Sequence, residues 1–200
     1  DISSVDPHYH VYVPNRAASR QIFDALTRLG PRGEVTPGLA ESWRIIEEDL
    51  WEFTLREGVT FHDGTKLEAD DIAFTIARAP EVPNSPSSYR TFTKSIAGVE
   101  VTGPRTVRIR TKGPAPTLLI DLEAISILSR KLAEGKPTSD YNSGVAAIGT
   151  GPYRFVQWQA GNSLVLARNP GYWGGAEPWD RVTIRPISND GARVAAMLSG

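Results

Sequence analysis

Residues Ala40–Arg78 read AESWRIIEEDLWEFTLREGVTFHDGTKLEADDIAFTIAR, and the hydrophobic period changes partway along them. Ser42–Ile46 is strand-like and Glu47-Glu48-Asp49 makes a turn. Leu50–Arg56 then alternates, with Trp51, Phe53 and Leu55 facing one way and Glu52, Thr54 and Arg56 the other. A period of two marks a strand with one buried face. Gly58 and His62-Asp63-Gly64 are turn chemistry, because Asp-Gly tolerates the positive φ of a tight reversal. Ala69–Arg78 switches to helical spacing, with Ile72, Ile76 and Ala79 on one stripe. Asp70 and Asp71 sit in its first turn, where carboxylates favour the helix dipole, and Pro80 stops it. A β-hairpin therefore hands over to a capped helix.

Upstream, residues 1–14 read as extended, with Asp6-Pro7-His8-Tyr9-His10 a Pro-fixed polar and aromatic loop. Asn15 is placed to cap a helix over Arg16–Leu29, with Ile22, Phe23, Leu26 and Leu29 as its stripe and Gly30 as its stop. Downstream, a Pro- and Ser-rich loop ends at Tyr89, and Ile96–Val101 and Val107–Thr111 form a second hairpin. A short helix near Thr117–Leu122, a buried strand at Ile125–Leu128, a helical turn at Arg130–Glu134 and a polar loop at Lys136–Gly144 follow. Tyr153–Gln159 and Ser163–Arg168 alternate as a third hairpin, and Val182–Ile187 reads as a strand. Asn189 or Ser188 caps a final helix through Leu198, whose stripe of Val194, Met197 and Leu198 needs a packing partner; that pattern suggests a fragment. The class is mixed α and β.

The chain has 200 residues, 40% hydrophobic and 22% charged, with a formal net charge of −1. A near-neutral balance argues against general nucleic-acid binding, which needs a basic face. No apolar run approaches the roughly 20 residues of a membrane span, so the sequence reads as a soluble piece. The absence of cysteine removes disulfides, thiolate metal sites and cysteine nucleophiles.

The histidines raise a second functional class, a hydrolase or metal-dependent enzyme using His8, His10 and His62. An extended H-x-H puts both rings on one side but needs further donors, and no H-E-x-x-H or Cys/His cluster supplies them. No G-x-S-x-G elbow is present, and Gly149-Thr150-Gly151 lacks the Lys-Ser/Thr of a phosphate loop. Trp43, Trp51 and Phe53 have the spacing of core residues, and Tyr172-Trp173 reads as a loop anchor. Tyr9, Tyr12 and Tyr89 differ, because they lie in polar, Pro-fixed loops with no periodic partner, where ligand contacts tend to be placed. These residues favour a binding function.

Several motifs together make the chain resemble the family 5 extracellular solute-binding proteins, the peptide-, dipeptide- and nickel-binding receptors of bacterial ABC importers. Asp6-Pro7-His8 is similar to the family's opening D-P-H, and Pro37–Trp43 to its P-x-L-A-x-S-W. Trp51–Val59 and Phe61–Gly64 match W-x-F-x-L-R-x-G-V and F-H-D-G, and Ala69-Asp70-Asp71 is the A-D-D that opens its helix. Gly149–Tyr153 and Asn169–Trp173 look like G-T-G-P-Y and N-x-x-Y-W, and Arg193–Gly200 like the family's R-v-a-a-l-x-s-G.

The resemblance implies an α/β, periplasmic-binding-protein-like (type II) lobe one with an inserted α+β subdomain, and no second lobe. Residues 1–40 and 146–200 would form the main sheet and 41–145 the inserted subdomain, with the hinge near Gly200. It also implies ligand contacts at Tyr9 and His10 after the D-P-H, at an aromatic of the inserted subdomain for which Tyr89 is the candidate, and around Ile125 and Ser126; Tyr12 joins them from the residue reading. The implied partners are a small solute (an oligopeptide or dipeptide first, a metal chelate or sugar as alternatives) and the ABC permease subunits. No cofactor, catalytic residue or nucleic acid is implied. The expected protein is a monomer, periplasmic or lipid-anchored outside the membrane.

Overall fold

The structure, a computed structural model, describes residues 1–199; Gly200, beside the expected hinge, lies outside the described residues. Helix α1 spans Val13–Ile22 and is followed by strands β1 (Thr27–Leu29), β2 (Val35–Pro37), β3 (Ala40–Glu47) and β4 (Leu50–Leu55). Helix α2 (Ala69–Arg78) and the short α3 (Arg90–Thr93) precede β5 (Ile96–Gly103) and β6 (Thr106–Thr111). Three short helices follow, α4 (Leu118–Glu123), α5 (Arg130–Ala133) and α6 (Thr138–Asn142). Strands β7 (Tyr153–Gln159), β8 (Ser163–Arg168) and β9 (Arg181–Ile184) and helix α7 (Asp190–Ser199) complete the described order.

The hairpin and helix of Ala40–Arg78 form as their periods require. Strands β3 and β4 join β6 and β5 in an antiparallel sheet of order β3-β4-β6-β5. Phe53, Leu55, Val107 and Ile109 lie on its buried face. The outer face carries opposite charges in register, Arg44 against Glu52, Glu52 against Arg108 and Arg108 against Glu100. Helix α2 starts where the Asp71 carboxylate accepts the Glu68 backbone N–H at 2.9 Å, and it ends as Pro80 enters a 3₁₀ turn over Ala79–Glu81.

Four expectations are corrected. Helix α1 begins at Val13, with Pro14 in its first turn, and Asn15 is not its cap but a buried side chain bonded to Ser3 and to the Ser4 carbonyl. It stops at Ile22 rather than Leu29, because the backbone of residues 24–26 pairs elsewhere: Ile127 N–H reaches the Asp24 carbonyl at 2.8 Å, and Leu39 N–H reaches that of Ala25 at 2.9 Å. Leu29 therefore lies in strand β1 and Leu26 in the bend before it, and tertiary pairing overrides a helical period. The loop Lys136–Gly144 contains α6, whose Tyr141 is fully buried while Asn142 Oδ1 accepts from Ser4 Oγ and Val5 N–H. Finally, pairing in β9 ends at Ile184, two residues before Pro186, which has no N–H to give.

Two apolar clusters divide the chain. One gathers Leu26, Leu39, Phe53, Leu55, Phe61, Ile72, Tyr89, Ile109, Leu118 and Ile125. The other gathers Ile2, Val5, Ile22, Phe23, Leu128, Tyr141, Tyr153, Leu164 and Leu166. The three-stranded sheet β7-β8-β9 supplies part of the second, and α7 buries none of its described residues. Within the second cluster β7's leading turn passes close to the end of α1: Gly151 N–H bonds the Ile22 carbonyl at 2.9 Å. A Cβ on Gly149 would lie 2.0 Å from that carbonyl oxygen and 2.7 Å from Phe23 Cδ1. Gly149→Ala is therefore expected to destabilise the chain by about 3 kcal/mol, since neither backbone nor a buried ring can yield. Gly161→Ala, at a positive φ with nothing near, should cost only about 1 kcal/mol. Urea midpoints of the two variants check the order, and the reverse order would contradict the close approach.

Candidate functional site

The chain enters the candidate site through Asp6-Pro7-His8. The Asp6 carboxylate accepts the His8 backbone N–H at 3.1 Å, and Tyr9 N–H bonds the Asp6 carbonyl at 3.2 Å, so residues 6–9 form a tight turn rather than the extended segment expected. Asp6 is buried and would be costly without a partner. Arg78, in the last turn of α2, supplies one in fork geometry, Nη1 to Oδ1 at 3.1 Å and Nη2 to Oδ2 at 2.7 Å. Thr138 Oγ1 donates to Oδ2 at 2.8 Å, and the Tyr141 ring lies 4.7 Å from the guanidinium. Burial raises the Asp6 pKa, but Arg78 outweighs it and holds the carboxyl below its ordinary value.

His8 is fully buried beside this pair. Its Nε2 donates to the Ser126 carbonyl at 2.8 Å, its Nδ1 accepts from Arg78 Nη1 at 2.9 Å, and its ring meets Tyr89 edge-on at 5.3 Å. Burial, reinforced by the Arg78 charge, pushes its pKa down to about 3.

The loop that follows carries the first candidate contacts. Val11 N–H bonds the Ser87 carbonyl and Ser85 Oγ bonds that of Tyr9, so residues 9–11 run beside 85–87. Tyr9 and His10 are half-buried, and Tyr12 is 49% exposed. The His10 ring stacks on Tyr12 at 5.4 Å and sits 3.2 Å from Ser3 Oγ. Tyr12 also borders an open groove of about 650 Å³ shared with Pro14, Ala17, Gln21 and Arg185.

The other candidates lie beneath this loop. Tyr89 is 1% exposed, packed on His8 and Phe92, with its hydroxyl pKa pushed by burial up to about 12. Its lack of a periodic partner in sequence reflected partners that are tertiary. Ile125 and Ser126 are buried too, and the Ser126 carbonyl is taken by His8. The structure therefore brings all the candidate segments together around His8, but leaves exposed side-chain surface mainly on Tyr9–Tyr12.

Several polar clusters escaped the sequence reading. Glu123 is nearly buried and accepts from both Arg16 and Arg20, while the Arg16 guanidinium lies 5.3 Å over Phe92. Asp24 gathers Arg28, Thr150 Oγ1 at 3.0 Å, the Tyr172 hydroxyl and Trp173 Nε1 at 2.8 Å. The Trp173 ring carries guanidinia from both Arg28 and Arg56, at 4.3 and 4.5 Å. These contacts join positions far apart in the chain, and no local period marks them.

The histidines serve separate structures. His62 Nε2 donates to the Gly151 carbonyl at 3.0 Å, and its Nδ1 faces Gly149 N–H at 3.3 Å. His8 is occupied as described, and His10 faces Ser3 and Tyr12. Among the described residues no group of three or more His, Cys, Asp or Glu is placed to hold a metal ion. The enzyme reading built on these histidines finds no supporting arrangement.

The topology and this framework define a periplasmic-binding-protein-like lobe. The chain belongs to the bacterial extracellular solute-binding proteins of family 5, whose family model matches residues 34–200. It is 27% identical to the periplasmic oligopeptide-binding protein OppA of Salmonella typhimurium, over all of this chain and 40% of that protein. Identity to the glutathione-binding protein GsiB of Escherichia coli K12 is also 27%, over 39% of its length. Among solved structures it superposes on NikZ from Campylobacter jejuni, in complex with Ni(L-His), with a TM-score of 0.89 at 30% identity, covering all of this chain and 40% of that one. DppA from Helicobacter pylori, in complex with the peptide STSA, gives 0.86 at 28% identity, over 100% and 43%. The chain thus spans about two fifths of the relatives it matches. No helix among the described residues is long and apolar enough to cross a membrane.

The buried histidines make acid stability a test of this framework. Burial lowers the pKa of both His8 and His62 below the ordinary 6.5, so the unfolded chain binds more protons than the folded one below about pH 6.5. Stability is complete above that pH and falls below it, toward about pH 3 for His8, by up to about 1.4 kcal/mol per pH unit for each histidine while it titrates. Asp6 adds a loss of the same sign at lower pH, below its ordinary 3.8, while Asp71, raised by burial, acts oppositely. Urea titrations across this range should show a shallower slope in His8→Gln than in the parent; equal slopes would contradict a buried neutral His8.

Proposed function

We propose that this chain forms the first lobe of a solute-binding receptor for an ABC importer. The receptor captures a peptide or similar small solute between two lobes and delivers it to the permease. The observation that carries the reading is the loop Tyr9–Tyr12: aromatic and polar side chains keep exposed surface on a backbone anchored by a buried ionic framework. Family membership supports it, and the relatives' names supply the range of solutes: an oligopeptide, glutathione, a nickel–histidine complex and the peptide STSA.

In this reading Tyr9, His10 and Tyr12 touch the solute, with Tyr89, Ile125 and Ser126 contributing from the cleft floor. The two apolar clusters support a division into a main sheet and an inserted subdomain. In this reading both edges of the subdomain shift toward the N-terminus from the 41–145 expected, since Leu26 and Leu39 pack in the first cluster and Leu128 and Tyr141 in the second. Solute would stabilise the closed form in proportion to its differential affinity for it, and the permease would read that form. No bond is made or broken. The receptor works as a monomer outside the inner membrane, free in the periplasm or held by a lipid anchor.

Calorimetric titration of trialanine, glutathione and nickel–histidine into the full-length protein tests this. At least one should bind, and the 200-residue chain should bind it at least about tenfold more weakly, because half the contacts are missing. Equal affinities would overturn the two-lobe reading. His10→Ala in the full-length protein should weaken binding by about 1–2 kcal/mol with little change in melting temperature.

A further inference from the structure

His8 has no exposed surface, yet it touches every segment assigned above to the solute. It directly precedes Tyr9–Tyr12, holds the Ser126 carbonyl through Nε2 and braces the Tyr89 ring. We propose that His8 is a positioning residue for solute binding, a cross-brace that sets the loop Tyr9–Tyr12, Tyr89 and segment Ile125–Ser126 in one geometry before the solute arrives. This rests on the reading that these segments line the solute site.

The chemistry of the two ring nitrogens carries the argument. A carbonyl oxygen only accepts, so Nε2 must carry the proton toward Ser126. A guanidinium only donates, so Nδ1 must present its lone pair to Arg78. Only the neutral Nε2–H imidazole satisfies both partners. Burial keeps that form in place at neutral and mildly acid pH, with the pKa at about 3. Arg78 is itself fixed by both Asp6 oxygens, so the ring's inner edge is tied to α2 and its outer edge to segment 125–126. The turn that holds the ring also starts the binding loop, through Tyr9 N–H on the Asp6 carbonyl. A tilt of the ring therefore moves loop, floor and aromatic wall together. Ordering them in advance lowers the cost of binding.

Two variants of the full-length protein divide the brace. His8→Asn keeps an acceptor close to the Nδ1 position facing Arg78, but its amide N–H is too short to reach Ser126; His8→Gln extends an N–H toward Ser126 but leaves no acceptor at the Nδ1 position. Trialanine, glutathione and nickel–histidine are the probes. Whichever of them the parent binds should bind about tenfold more weakly in both variants. Hydrogen exchange should accelerate about tenfold at the Val11 and Ile127 amides while the β7–β8 hairpin keeps its parent rates. Parent-like affinity in both variants overturns the proposal, as does acceleration spread evenly into β7–β8, which signals general destabilisation alone. Should neither variant fold, imidazole nitrogen NMR of the parent decides: a persistent Nε2–H tautomer, unchanged on adding each probe, is expected, and an Nδ1–H or protonated ring overturns the brace. A parent that binds none of the probes counts against the solute class proposed above, and the exchange and tautomer readouts still decide the role of His8.

Discussion

The ion pair between Asp6 and Arg78 lies at the centre of the structure, because so many separate segments are satisfied through it. Asp6 belongs to the turn that opens the chain's first loop, Arg78 to the end of α2, Thr138 to α6 and Tyr141 to the second core. A buried ion pair is no guarantee of stability, since desolvation of both charges opposes their attraction. Here nearly every remaining valence is used: the fork of Arg78, the Thr138 hydroxyl, the His8 amide and the His8 imidazole all converge on it. Such a group is costly to break, by roughly 3–5 kcal/mol when one partner is removed from a buried pair. That cost gives the turn at residues 6–9 a single conformation.

The other motifs of the resemblance serve one another in the same way. His62 of F-H-D-G bonds both glycines of G-T-G-P-Y, and Asp24 joins Thr150 of that motif to Tyr172 and Trp173 of N-P-G-Y-W. These are contacts between backbone turns, made by side chains whose polar atoms would be expensive to bury alone. The motifs that identify the family are, in this chain, mostly parts that hold turns against each other. In the proposed reading, solute recognition falls to the less regular residues beside them, such as His10 and Tyr12, which keep exposed surface.

This separation has a physical logic. A loop that binds a variable solute cannot bury its own side chains, so it gains little from apolar packing. Its order must come from its ends and from backbone bonds such as Val11 to Ser87. The buried framework beneath supplies that order without constraining which side chains stand on top.

The alternation of Leu50–Leu55, the helical stripe and acidic first turn of Ala69–Arg78, and the two arms of β7–β8 were legible residue by residue, because each is local and its period follows from backbone geometry. The motif order was legible as well, and with it the family. The end of α1 at Ile22, the helix inside Lys136–Gly144 and the burial of Tyr89 were not. Each depends on a partner far along the chain: Ile127 for the backbone after α1, Ser4 for α6, His8 for Tyr89. Asp6, Arg78 and His8 looked like ordinary loop and helix-end residues for the same reason. Periodicity shows which face of an element is apolar, whereas the pairing of a buried charge is decided only when distant turns close on one another.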